Sequence, residues 1–276
     1  MRPSIRYLSR AERARIASAA TELLERVGVQ LTEPEARELL DGVGARIDGD
    51  RVRIPTGEVE RALRTAPSNV RIYGRRGDLA MELDGGSAYF GAHTDAPDVL
   101  DPLTGERRPC KERDVGIHAA LIEELEHIAF CTASGMVADR DPEVADRVAL
   151  AQCLIHTEKP VLAMPVTIES LRDCHEMASI AVGGTKTLRE RPNLVVYAEP
   201  VSPLVHPDDS IQRLLHCAEH AIPVVYSGYA AMGGTAPMSP AAITVQLCAE
   251  SLSALTIHQL KNPGASIISG GNSMVM

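Results

Sequence analysis

The sequence predicts an α/β protein, a TIM (β/α)8-type barrel that is C-terminally truncated and preceded by a small N-terminal α+β segment. Two observations predict it. From about residue 86, apolar strand-like runs recur at Ser87–His93, His127–Gly135, Pro160–Thr167, Asn193–Pro200, Ile222–Gly228 and Ala265–Gly271. Helical patterns of roughly 10–25 residues separate them, the spacing of βαβ units feeding a parallel sheet. An eight-stranded barrel takes about 250 residues, so six runs ending shortly before Met276 read as a barrel without its last quarter, a fragment of a longer chain. The expected division is residues 1–85 as lead-in and residues 86–276 as partial barrel.

In the lead-in, Ile16, Ala20, Leu23, Leu24 and Val27 follow a helical period across Arg10–Val27. Ser9 and Glu12 have capping-box spacing and Gly28 is a natural terminator. Thr32 is expected to cap a second helix through Leu40, with Pro34 in its first turn. A short strand at Val52–Ile54 precedes a third helix from Thr56 to Leu63. Val70–Tyr73 and Ala80–Leu83 read as two strands of a small sheet. In the repeating region the expected helices are Lys111–Glu126, a segment from Asp141-Pro142 to about His156, Ser170–Val182, Asp208–His220 and Pro240–Leu260.

The core must be aliphatic, because the 276 residues include no Trp, two Phe and six Tyr. The net charge of −9 comes without a clustered basic footprint or stacking aromatics, which argues against nucleic acid. The N-terminus lacks an apolar signal-peptide core and no run of 18 apolar residues occurs, so a cytoplasmic protein with no membrane span is expected. The six cysteines carry no CxxC and read as reduced thiols.

In barrels the chemistry sits at the C-terminal strand ends and the loops beyond them. Glu199 ends the apolar run Asn193-Leu-Val-Val-Tyr-Ala198 and is followed by Pro200 and Pro203; a carboxylate there can pair with a cation or take a proton. A salt bridge to a neighbouring strand is the competing reading. Tyr226 and Tyr229 offer a cation–π surface for a quaternary ammonium group, or simply pack at the barrel mouth. Gly233-Gly234-Thr235 precedes the long helix, where a substrate carboxylate would be favoured, or forms a plain tight turn. Gln246 and Glu250 share a helix face at i, i+4, the usual mark of a solvated face. His93 and Asp95 have the offset of two metal ligands, whereas His118, His156, His175, His216 and His220 fall on outer helices. No metal is expected.

Several segments resemble the trimethylamine methyltransferase family. They are Leu24-Glu-Arg-Val-Gly-Val29, Gly44-Ala-Arg-Ile-Asp48, Val52-Arg-Ile-Pro55, Arg71-Ile-Tyr-Gly-Arg75, Asp101-Pro-Leu-Thr-Gly105 and Glu199-Pro-Val-Ser-Pro-Leu204. The strongest is Gly233-Gly-Thr-Ala-Pro-Met-Ser-Pro240, leading through Gln246, Ala249-Glu250 and Gln259 to Asn262-Pro-Gly264. The resemblance implies a TIM-barrel enzyme that moves a methyl group from a tertiary or quaternary amine to the Co(I) corrinoid (cobalamin) of a separate carrier protein. It implies no cofactor bound directly and a pyrrolysine position, in the members that have one, beyond Met276. The expected catalytic residues are Glu199 and Glu250, and the expected substrate-binding residues are Tyr226, Tyr229, Gly234, Thr235, Gln246 and His93. The expected assembly is a homo-oligomer. Two alternatives are a metal-dependent barrel hydrolase using His93 and Asp95, and a non-catalytic truncated barrel that binds a corrinoid protein.

Overall fold

Ser9 opens α1 (Arg10–Arg26) in a computed structural model that describes residues 7–92 and 95–275. Its hydroxyl accepts from the Glu12 N–H while the Glu12 carboxylate accepts from the Ser9 N–H, the reciprocal cap the spacing predicts. Gly28, at φ +79°, turns the chain out of α1; a Cβ there would lie 2.3 Å from the Val52 carbonyl oxygen. β1 (Val29–Leu31) and α2 (Pro34–Asp41) follow. Thr32 does not cap α2. Its hydroxyl donates to Asp208, and the buried Glu33 carboxylate accepts from the Ala36 N–H instead.

β2 (Arg46–Asp48) and β3 (Arg51–Arg53) form an antiparallel hairpin, and β3 also pairs antiparallel with β1. α3 (Thr56–Thr65) starts after Pro55, which has no side-chain acceptor to cap it, and the Thr56 hydroxyl donates to Glu25. β4 (Val70–Tyr73) and β5 (Leu79–Leu83) form the expected small sheet, and they pair antiparallel. The remaining order is β6 (Phe90–Gly91), β7 (Asp98–Leu100), β8 (Arg107–Pro109), α4 (Glu112–Glu124), β9 (Ile128–Phe130), α5 (Ala145–His156), β10 (Val161–Ala163), α6 (Ile168–Ala181) and α7 (Thr185–Glu190). Then come β11 (Leu194–Ala198), β12 (Val205–His206), α8 (Asp208–His220), β13 (Val224–Met232), α9 (Pro240–Lys261) and β14 (Ile267–Val275).

Packing divides the chain into two compact units. One comprises the chain up to Ala66, Ala198–Leu215 and Val225 onward, and the other comprises Pro67–Tyr197 and His216–Val224. In the second unit β6 pairs parallel with β9, Cys131 bridges in parallel to Val161, and β10 pairs parallel with β11 in the register Val161–Leu194. α4 packs on α5 and α5 on α6. These are βαβ modules, so the fold is mixed α/β as the alternation predicts. The described residues do not form a closed ring of eight strands. An unexpected antiparallel hairpin, β7–β8, is inserted after β6, and Arg108 ties it to α4 by bonding both Asp101 and Asp114.

In the first unit α9 is the hub on which α1, α2, α3 and β14 pack. It is long and apolar enough to cross a membrane by length and composition alone. Half of its most apolar stretch is buried, however, and it carries buried Gln246, Glu250, His258 and Gln259, which mark a core helix. β12 pairs parallel with β1, placing Val205 opposite Gln30, and β13 hydrogen-bonds to β14.

Because Gly28 combines a positive φ with a backbone carbonyl in the Cβ position, Gly28→Ala is expected to destabilise the fold by about 2 kcal/mol or more. Urea unfolding of the variant against the wild type measures it, and a change within about 0.5 kcal/mol would refute the packing argument.

Candidate functional site

Glu250 lies on α9 with 0% exposure. A carboxylate so deeply buried must have its oxygens hydrogen-bonded. One oxygen accepts from the Ser202 hydroxyl at 2.9 Å; the other accepts from the Leu204 N–H at 2.9 Å and from the Gln246 side-chain amide at 3.2 Å. The Gln246 amide also reaches the Thr235 carbonyl at 3.1 Å. The Gln246–Glu250 helix face is therefore buried rather than solvated. A Cβ at Gly228 would sit 2.7 Å from the Glu250 carboxylate, so glycine is what lets β13 pass so close.

These bonds hold the loop between β11 and β12. Leu204 sits at φ 60°, a conformation that costs a non-glycine residue energy unless its surroundings enforce it. Here its N–H is fixed by Glu250 and its carbonyl accepts from the Gln30 N–H at 2.8 Å. Glu199, at the start of this loop, is exposed.

A buried relay runs beside the clamp. The Ser253 hydroxyl donates to the Glu250 carbonyl at 2.9 Å, so it accepts from His206 Nε2 at 2.8 Å, which leaves Nδ1 to accept from the Tyr226 hydroxyl at 2.7 Å. This assigns His206 as the neutral Nε2–H tautomer. Burial agrees, pushing its pKa down to about 4 and that of Tyr226 up. Tyr226 and Tyr229 do not form one aromatic surface. An odd offset along β13 sends them to opposite faces, leaving Tyr226 at 0% exposure and Tyr229 at 51%. Gly234 and Thr235 are exposed in the turn after β13, where the Thr235 hydroxyl accepts from the Ala231 N–H at 2.9 Å. His93 lies outside the described residues.

In the second unit, a mainly apolar cavity of about 440 Å³ is lined by Asp95, Ala133, Met136, Met164 and Cys174 among others. Among the described residues it is lined by none of Glu199, Tyr226, Tyr229, Gly234, Thr235, Gln246 or Glu250. The same unit brings together His175 on α6 with His216 and His220 on α8. The placement of these histidines on helices is as expected, but their convergence is not. The i, i+4 spacing of His216 and His220 was the available signal, since it puts both rings on one helix face.

The sequence matches the family model for trimethylamine methyltransferase (MTTB) across residues 1–276. The chain belongs to this family. It is 27% identical to trimethylamine methyltransferase MttB of Desulfitobacterium hafniense over 263 residues, which cover 95% of this chain and 53% of that protein. With a glycine betaine methyltransferase of Desulfitobacterium hafniense it shares 25% identity over 275 residues, 98% of this chain and 57% of the relative. The chain thus spans about half the length of the curated relatives it matches. The crystal structure of the Methanosarcina barkeri monomethylamine methyltransferase MtmB superposes with a TM-score of 0.53 at 13% identity, covering 95% of this chain and 53% of that one. That likeness is one of fold. The family read from the sequence motifs is the family found.

His206 and His258 both have folded pKa values lowered to about 4 by burial. An unfolded histidine titrates near 6.5, so as pH falls below that value the unfolded state gains protons that the folded state refuses. Stability is complete above pH 6.5 and is lost towards pH 4, by about 2 kcal/mol per histidine at pH 5. Urea unfolding at pH 7.5 and pH 5 tests this. His206→Gln should reduce the difference between the two pH values by about 2 kcal/mol, and an unchanged difference would contradict the assignment.

Proposed function

We propose that this chain forms part of an enzyme that moves a methyl group from a tertiary or quaternary amine, trimethylamine or a betaine such as glycine betaine, to the Co(I) corrinoid of a partner protein. The observation that carries the reading is the family match over the whole chain. The names of the relatives, trimethylamine and glycine betaine methyltransferases, support a methylated-amine substrate. In this reading the βαβ run at residues 86–276 belongs to a TIM (β/α)8-type barrel, behind an α+β lead-in at residues 1–85. Six free cysteines fit a reducing cytoplasm, and a homo-oligomer is the proposed assembly.

The residues present suit a cationic substrate. Glu199 offers an exposed carboxylate on a loop that Glu250 pins at both Ser202 and Leu204. Glu199 would pair with the ammonium charge, and Glu250 would act as a positioning residue, keeping that loop from relaxing around bulk water. Tyr229 would lay its exposed ring against the methyl groups. The Thr235 hydroxyl, beside Gly234, would donate to a substrate carboxylate, with Gln246 holding the turn through the Thr235 carbonyl. The buried Tyr226 supports the site from behind through His206. The corrinoid of the partner protein, when bound, supplies the cobalt nucleophile that accepts the methyl group. A quaternary amine departs as a neutral amine, so this chain need not protonate it.

The test is methyl transfer to reduced cobalamin and to corrinoid protein, assayed with the complete polypeptide against trimethylamine, glycine betaine and other quaternary amines. Glu199→Gln, which keeps size and removes charge, should lower kcat/KM at least 10-fold, about 1.4 kcal/mol of transition-state stabilisation. An unchanged kcat/KM would remove Glu199 from the site. Failure of every methylated amine to transfer would overturn the function itself.

A further inference from the structure

Three imidazoles converge in the second unit, on helices that the proposed methyl-transfer chemistry does not use. His175 comes from α6, and His216 and His220 come from successive turns of α8. One ligand nitrogen from each ring lies within 4.8 Å of the others. His216 Nε2 and His175 Nδ1 are 3.3 Å apart. Metal–imidazole bonds of about 2.0–2.1 Å at tetrahedral angles put neighbouring ligand nitrogens about 3.3 Å apart, so this pair already has the required separation. The ring centroids lie 5.4 Å (His175–His216), 4.8 Å (His175–His220) and 4.3 Å (His216–His220) apart, close enough for small rotations about the side-chain torsions to bring in the third nitrogen.

We propose that His175, His216 and His220 bind one divalent transition-metal ion, clipping α6 to α8. The donor set is imidazole alone. It selects zinc, cobalt, nickel or copper and disfavours magnesium and calcium, which require oxygen ligands. Three protein ligands leave one tetrahedral position for water or an incoming ligand. The rings are half-buried, so an ion can enter from solvent yet meet a partly dehydrated site. Charged neighbours are few: Glu219 and Glu176 favour a cation, and Arg172, exposed one turn before His175, opposes it and is free to extend into water. The rings contact one another, and the hydrogen bond between His216 Nε2 and His175 Nδ1 would be exchanged for bonds to a shared cation.

The experiment uses untagged protein stripped with a chelator and titrated with cobalt(II) and zinc(II). The expected result is one cobalt per chain with the intense visible absorption of a four- or five-coordinate site, displaced by zinc and unaffected by magnesium or calcium. Zinc should raise the Tm of the wild type. In a His216→Ala/His220→Ala double variant, affinity should fall at least 100-fold and the zinc-dependent Tm shift should disappear. His118→Ala, on α4, is the control and should bind as the wild type does. The metal-free Tm of the double variant distinguishes a lost site from a lost fold, and His175→Asn provides a second, milder removal of one ligand. Binding to the double variant as tight as to wild type, or only the weak spectrum of hydrated cobalt in the wild type, would overturn the proposal.

Discussion

A carboxylate with no access to water organises the first unit. Glu250 can remain buried only because Ser202, the Leu204 N–H and Gln246 all donate to it. The arrangement works in both directions. The loop satisfies the carboxylate, and the carboxylate fixes a loop that contains a left-handed leucine. Removing the side chain would leave the Ser202 hydroxyl and the Leu204 N–H without this acceptor and the Gln246 amide with only the Thr235 carbonyl, so the cost would be spread beyond one contact. α9 can serve as hub because its remaining buried positions, such as Ile243, Ala249, Ala254 and Ile257, are apolar and small enough for α1, α2, α3 and β14 to pack on it.

The relay through Ser253, His206 and Tyr226 extends that constraint. Each hydroxyl has one proton, so the donor direction is fixed along the chain from Tyr226 to the Glu250 carbonyl. Such networks gain rigidity when every member is satisfied and lose more than one bond when any member is removed. His206 connects β12 to this network, and β12 in turn pairs with β1, so a two-residue strand is held from both sides.

Much of the architecture was legible in the sequence because it follows from periodicity. Each of the six apolar runs overlaps a strand, although β13 and β14 run past the expected ends, and Asp208–His220 is a helix with the expected ends. Elements that depend on tertiary partners were not legible. β12 has two residues and exists because β1 offers it a ladder; β7 and β8 are three-residue edges closed by Arg108. Thr32 has the right chemistry for a cap, but Asp208, 176 positions away, captures its hydroxyl. Glu199 and Glu250 were both expected at a barrel mouth, yet nothing local in the sequence distinguishes the exposed carboxylate from the fully buried one. Helical spacing placed Gln246 and Glu250 on one face, but the solvated reading of that face was wrong, because α9 is a core helix. Strand alternation, applied to Tyr226 and Tyr229, would have separated them.

The proposed substrate explains why a pinned loop matters more here than for most ligands. A quaternary ammonium has no N–H and cannot be recognised by directed hydrogen bonds. Only the field of a nearby anion and the face of an aromatic ring can hold it. Both fall off with distance and are weakened by water, so an exposed carboxylate contributes little unless its position is fixed before the cation arrives. In the proposed function, Glu199 would meet that condition through its loop rather than through its own burial. On this reading, Glu250 acts on the substrate indirectly, by denying the loop the freedom to carry Glu199 away from the cation.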